Sequence, residues 1–157
     1  MNRTSEMIEF VLMYTSEIEQ AVQDSRVDTG AKDDARGSRG SKRSDPTAVN
    51  AIRNAMEVPV VNIVYGAKIA GRREIKRVRN PEKWVKMAHD VRAYYKEHAR
   101  LKDFFCSRYD ECEDWRSACT RLGISKDTYY EMRADVLHTA ELYAVYRGAV
   151  APIDCRI

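Results

Sequence analysis

DWRSACTRLGISKDTYYEMR, residues 114–133, decides the reading of this chain, because a short helix, a glycine turn and a second helix opened by a capping serine follow one another within it. Ala118 and Cys119 are small enough for two helices to approach, and Leu122 and Ile124 anchor the two sides of a turn made at Gly123. Ser125 is placed to cap the second helix, since its hydroxyl oxygen can accept from a first-turn amide that has no partner inside the helix. Beyond it Tyr129, Met132 and Val136 recur at helical spacing and form the inward stripe, which leaves Lys126, Asp127, Tyr130 and Arg133 facing outward. This is the pattern of a helix-turn-helix, in which the first turns of the second helix meet base edges while nearby positive groups hold phosphates. The candidate DNA contacts are therefore Ser125, Lys126, Asp127, Thr128, Tyr130 and Arg133, with Arg133 the strongest candidate for a guanine or a phosphate. An ordinary pair of core helices joined by a glycine turn would share much of this pattern, so the rest of the chain has to weigh the two.

Charge supplies the next constraint. Charged residues make up 32% of the 157, yet the net charge is only +3, so any nucleic-acid site must come from local clustering and not from bulk basicity. Lys68, Arg72, Arg73, Lys76, Arg77 and Arg79 form such a cluster. Arg72, Arg73, Lys76 and Arg77 are the candidates for a phosphate clamp beside the second helix, against the alternative of a plain solvated surface. Asp110, Glu111, Glu113 and Asp114 follow as an acidic counterweight, which helix capping explains.

Three segments are expected along the chain. Thr4 to about Val27 reads as one amphipathic helix, with Met7, Ile8, Val11, Tyr14, Ile18 and Val22 on a shared face. Residues 28–44 are glycine-, serine- and charge-rich with almost nothing apolar, and read as a flexible linker. Residues 45–157 read as a mainly α-helical bundle ending in the helix-turn-helix at 114–138. Pro46 suits a first helical position, with Ala48, Ile52, Ala55 and Met56 as its apolar face, and Pro59 ends or kinks that helix. Val60–Tyr65 is rich in β-branched residues and Glu74–Val78 can return as a second strand, which gives a small basic β-hairpin near 60–78. Asn80 is expected to cap a helix opened by Pro81, with Trp84, Met87, Ala88, Val91, Tyr94 and Tyr95 as a wide core stripe. A further helix spans about Ala99 to Tyr109. The last one runs from Ser125 to about Arg147, closed at Gly148.

Taken together, three features resemble the late-gene transcriptional regulators of the RinA and ArpU type found in phages and prophages of Gram-positive bacteria. GISKDTYYEMRADVLHTAELY, residues 123–143, looks like the family's terminal segment. SDPTAVNAIRNA, residues 44–55, is similar to the Ser-Asp-Pro-Thr segment that these regulators carry after a Gly/Ser-rich linker. The order of parts is also shared, although residues 58–79 are more basic and more β-like than that family's pattern. The resemblance implies a sigma-factor-like helix-turn-helix that binds double-stranded DNA and activates late genes, with host RNA polymerase or a sigma factor as a second partner. The N-terminal helix is available for that contact or for a homo-oligomer.

Other classes find little support. Cys106, Cys112, Cys119 and Cys155 form no CxxC pair, and His89, His98 and His138 are scattered, so neither a metal site nor a cofactor is expected. No phosphate-binding loop or nucleophile elbow occurs, so no catalytic residue is assigned and an enzyme is not expected. There is no apolar run of about 20 residues and no secretory signal, which points to a soluble protein in the bacterial cytoplasm, away from the membrane. The alternative in another class is a phage-encoded interaction module that inhibits a host defence system or RNA polymerase. A small packaging subunit ranks below both.

Overall fold

A computed structural model describes residues 3–33, 56–66 and 73–152. The chain is mainly α with one small β-hairpin: helices α1 (Arg3–Met13) and α2 (Thr15–Asp33), strands β1 (Val60–Gly66) and β2 (Arg73–Arg79), then helices α3 (Pro81–Glu97), α4 (Ala99–Phe105), α5 (Trp115–Leu122) and α6 (Lys126–Tyr146). A π-helical turn, Cys106–Asp110, continues α4. Two compact units divide the chain, one made of Met1–Thr15 with Lys83–Ile157 and the other of Ser16–Glu82. These cut across the expected division into helix, linker and domain. Helix α1 belongs with the C-terminal helices because its apolar face has its core there.

In the helical unit most of the periodic apolar residues are buried as their spacing predicts, while Tyr94 of the expected α3 stripe is exposed. Ile8, Val11 and Leu12 of α1, Met87, Ala88, Val91 and Tyr95 of α3, Phe104 and Phe105 of α4, and Val136, Ala140 and Ala144 of α6 are all buried. Aromatic rings lock the layers edge to face and in stacks: Phe104 meets Tyr129 at 5.2 Å between centroids, and Phe105 lies 5.3 Å from Tyr95 and 5.0 Å from Tyr109. Helix α1 packs against α6.

The single N-terminal helix expected from Thr4 to Val27 is broken at Tyr14. Side chains take over carbonyls that a continuous helix would reserve for backbone amides. The Thr15 hydroxyl donates to the Val11 carbonyl at 2.7 Å, and the Arg92 guanidinium donates to the Leu12 carbonyl at 2.7 Å and to the Thr15 hydroxyl at 2.8 Å. Past the break α2 runs on to Asp33, so residues 28–33, expected as linker, are helical. Extending a helix already nucleated costs little, which composition alone does not register. The rest of the expected linker, the Ser-Asp-Pro-Thr segment through residue 55, the hairpin tip at 67–72 and Cys155 lie outside the described residues.

The second unit holds the hairpin. Its strands pair antiparallel in the register Val60↔Arg79, Val61↔Val78, Asn62↔Arg77, Ile63↔Lys76, Val64↔Ile75 and Tyr65↔Glu74. Because side chains alternate, Val61, Ile63 and Val78 share one face and are buried, while Val64 and Ile75 on the other are 56% and 70% exposed. At its base the Asn80 amide donates to the Pro59 carbonyl at 2.9 Å. Glu82 then accepts from Arg26 at 2.9 Å and from the Val58 amide at 3.1 Å. Asn80 stands at φ 49, a left-handed turn residue and not the extended cap expected ahead of Pro81.

Candidate nucleic-acid interface

Local chemistry forms the helix pair at 114–146 as its sequence predicts. The Asp114 carboxylate caps α5 by accepting from the Arg116 amide at 2.8 Å, the Ser117 amide at 3.2 Å and the Ser117 hydroxyl at 2.9 Å. Those bonds hold the Asp114 carboxyl below its ordinary value. Gly123 ends α5 at φ 65, ψ 33, a conformation in which a side chain's Cβ crowds the following carbonyl. The Ser125 side chain then accepts from the Thr128 amide at 3.1 Å and opens α6. Ala118, Tyr129 and Val136 are buried.

Lys126, Asp127 and Tyr130 are exposed on the outer side of α6, as expected. Ser125 and Thr128 are turned to capping, their hydroxyl oxygens 2.9 Å apart. Arg133 departs from expectation. Its guanidinium donates to both carboxylate oxygens of Glu9 on α1, at 2.8 Å from Nε and 2.6 Å from Nη2, and Arg108 reaches the same carboxylate at 3.0 Å. Burial pushes the Glu9 carboxyl up, but the hydrogen bonds from Arg133 and Arg108 outweigh it and hold the group below its ordinary value. The same bonds raise Arg133. As the arginine sits on the face turned toward α1, it serves as a strut between the first and last helices.

Two residues not singled out by sequence reasoning join the outer surface. Trp115 and Arg116 open α5, and the Arg116 guanidinium lies 5.2 Å from the Trp115 ring. The Lys126 ammonium sits 5.3 Å from that same ring and 6.0 Å from the ring of Tyr130. Trp115, Tyr129, Tyr130, Arg108, Asp114 and Arg133 line an open cleft of about 350 Å³. The signal was available in sequence, because an aromatic residue and an arginine directly after a capping aspartate must occupy the exposed first turn of α5. Asp127 and Glu131, also exposed, limit how much non-specific phosphate attraction this surface has.

In the other unit the expected phosphate clamp is sorted by strand register. Lys76 pairs with Ile63 on the buried side of the hairpin and is half-buried, whereas Arg77 and Arg79 are exposed on the opposite face. Arg73 pairs with Gly66 at the open end of the ladder, and Arg72 lies outside the described residues. Among the described residues no group of three or more His, Cys, Asp or Glu is arranged to hold a metal ion, and no helix is long and apolar enough to cross a membrane. Comparison with protein-family models, curated proteins and solved structures finds no match to this chain.

Proposed function

We propose that this chain is a transcriptional regulator of phage or prophage origin that binds double-stranded DNA sequence-specifically through α5 and α6. In this reading it activates late genes together with host RNA polymerase or a sigma factor, acts in the bacterial cytoplasm, and needs neither cofactor nor catalytic residue. The observation that carries the DNA reading is the outer surface of a doubly capped, glycine-turned helix pair. Lys126, Arg116, Trp115 and Tyr130 meet there at the first turns of both helices. Exposed first turns with a lysine, an arginine and aromatic rings can reach phosphates and base edges together. The late-gene role is supported by the resemblance of residues 123–143 and 44–55 and by the order of segments.

The test is selection of the full chain against a randomised duplex library, followed by titration of the enriched duplex. Lys126→Ala and Arg116→Ala are expected to weaken binding by roughly 5- to 160-fold where each makes a base contact, about 1–3 kcal/mol. Arg133→Ala is expected to act first through folding, since its partner is Glu9. No enriched motif, or an enriched duplex that both variants bind as the parent does, overturns the reading. A chain that selects no duplex but forms a defined complex with purified host polymerase is the interaction module instead.

A further inference from the structure

Four cross-strand rows lie on the outer face of the hairpin: Val60 with Arg79, Asn62 with Arg77, Val64 with Ile75 and, at the open end, Gly66 with Arg73. None of the eight is a carboxylate; Glu74, the acidic residue of the ladder, stands on the opposite face and accepts from the Tyr65 hydroxyl at 2.7 Å. Elsewhere six of the described arginines are committed to carboxylates. Arg26, Arg92, Arg108, Arg121, Arg133 and Arg147 each ion-pair with a carboxylate at 2.5–3.2 Å. Arg77 and Arg79 have no ion-pair partner among the described residues and stand exposed beside an apolar pair.

We infer that this face of the hairpin is a second DNA-contacting surface, a two-stranded ribbon that enters the major groove. The inference rests on the proposed DNA function and adds to it a site in the other unit. A two-stranded ribbon fits the major groove, which is about 12 Å wide. Arg77 and Arg79 are two residues apart on one strand, about 7 Å, close to two base-pair steps along the duplex. The Asn62 and Arg77 row brings together the amide suited to adenine and the guanidinium suited to guanine, and the Val64 and Ile75 row offers methyl groups to thymine. Charge selects the occupant. A second copy of this chain docked face to face would oppose Arg77 and Arg79 to their own kind, whereas a duplex brings the anions these groups lack.

The experiment measures affinity of the full chain for its selected duplex as a function of salt, with Arg77→Ala/Arg79→Ala, Lys126→Ala and the parent side by side. Circular dichroism confirms that each variant keeps its fold. Removing two cations from the groove, each neutralising about one phosphate charge, lowers the magnitude of the slope of log K against log salt by about 1.8. Arg77→Lys/Arg79→Lys is expected to restore the slope while relaxing sequence preference at the contacted steps, because an ammonium lacks the planar fork. Unchanged affinity and slope in the double alanine variant overturn the ribbon while leaving the helix pair standing if Lys126→Ala still weakens binding. The converse pattern removes the helix pair and keeps the ribbon. A double alanine variant that changes solution mass but not DNA binding identifies the face as a contact between copies and overturns the inference.

Discussion

The helix pair and the hairpin hold arginines in opposite ways. Around α6 the guanidinium groups other than that of Arg116 are structural: Arg133 and Arg108 converge on Glu9, Arg121 bridges Glu111 and Glu113, and Arg147 is held by Asp90. On the outer face of the hairpin Arg77 and Arg79 stand exposed with no carboxylate partner among the described residues. An arginine in a candidate recognition helix is therefore no guide to a reader until its partners are known. A partner supplied by a distant helix turns it into a brace. On a two-stranded ribbon with one buried face, alternation itself delivers side chains to solvent.

That contrast can be broken at its centre by Glu9→Ala. Removing the carboxylate leaves two partly buried guanidinium groups without their shared anion, and the expected loss is about 2–3 kcal/mol, below the figure for a fully buried pair because both arginines keep some solvent. Urea unfolding measures it, and an unchanged midpoint would show that the brace contributes nothing. The same carboxylate predicts a pH effect of lesser size. Its folded pKa is depressed, so its contribution is present above the ordinary carboxylate value, about 4.3, and lost as pH falls through the folded value. Urea midpoints between pH 7 and 3 should fall less steeply in Glu9→Gln than in the parent.

Gly123→Ala sharpens the helix-pair side of the comparison. The added methyl meets nothing within 4 Å, so the expected cost, about 1–2 kcal/mol in thermal unfolding, comes from the backbone at φ +65 alone. At the small end, Arg77→Ala/Arg79→Ala should leave stability within about 0.5 kcal/mol of the parent. A large loss there would mean that the hairpin arginines are braces too, and the contrast would disappear.

Much of the fold was legible because its causes are local. The turn at Gly123, the cap at Ser125, the helix opened by Pro81 and the two β-branched strands are each set by residues within a few positions of one another. What failed to show involves partners far apart in sequence. Tyr14 interrupts the first helix because Arg92, 80 residues from Leu12 along the chain, takes that carbonyl. Within the candidate site Lys126, Asp127 and Tyr130 were placed correctly by helical periodicity, while Arg133 fitted the outward stripe equally well and was claimed by Glu9, 124 residues away. Lys76 and Arg77 are neighbours with the same charge, and only the strand register separates the half-buried one from the exposed one.

The sequence by itself determined where this chain turns, caps and alternates, because those choices depend on backbone conformation and on side chains one to four residues away. Only the tertiary structure decided which positive charges are spent on the fold and which remain for a ligand. Ion pairing depends on distances in space, and nothing in the local pattern around an arginine records which carboxylate will be brought to it.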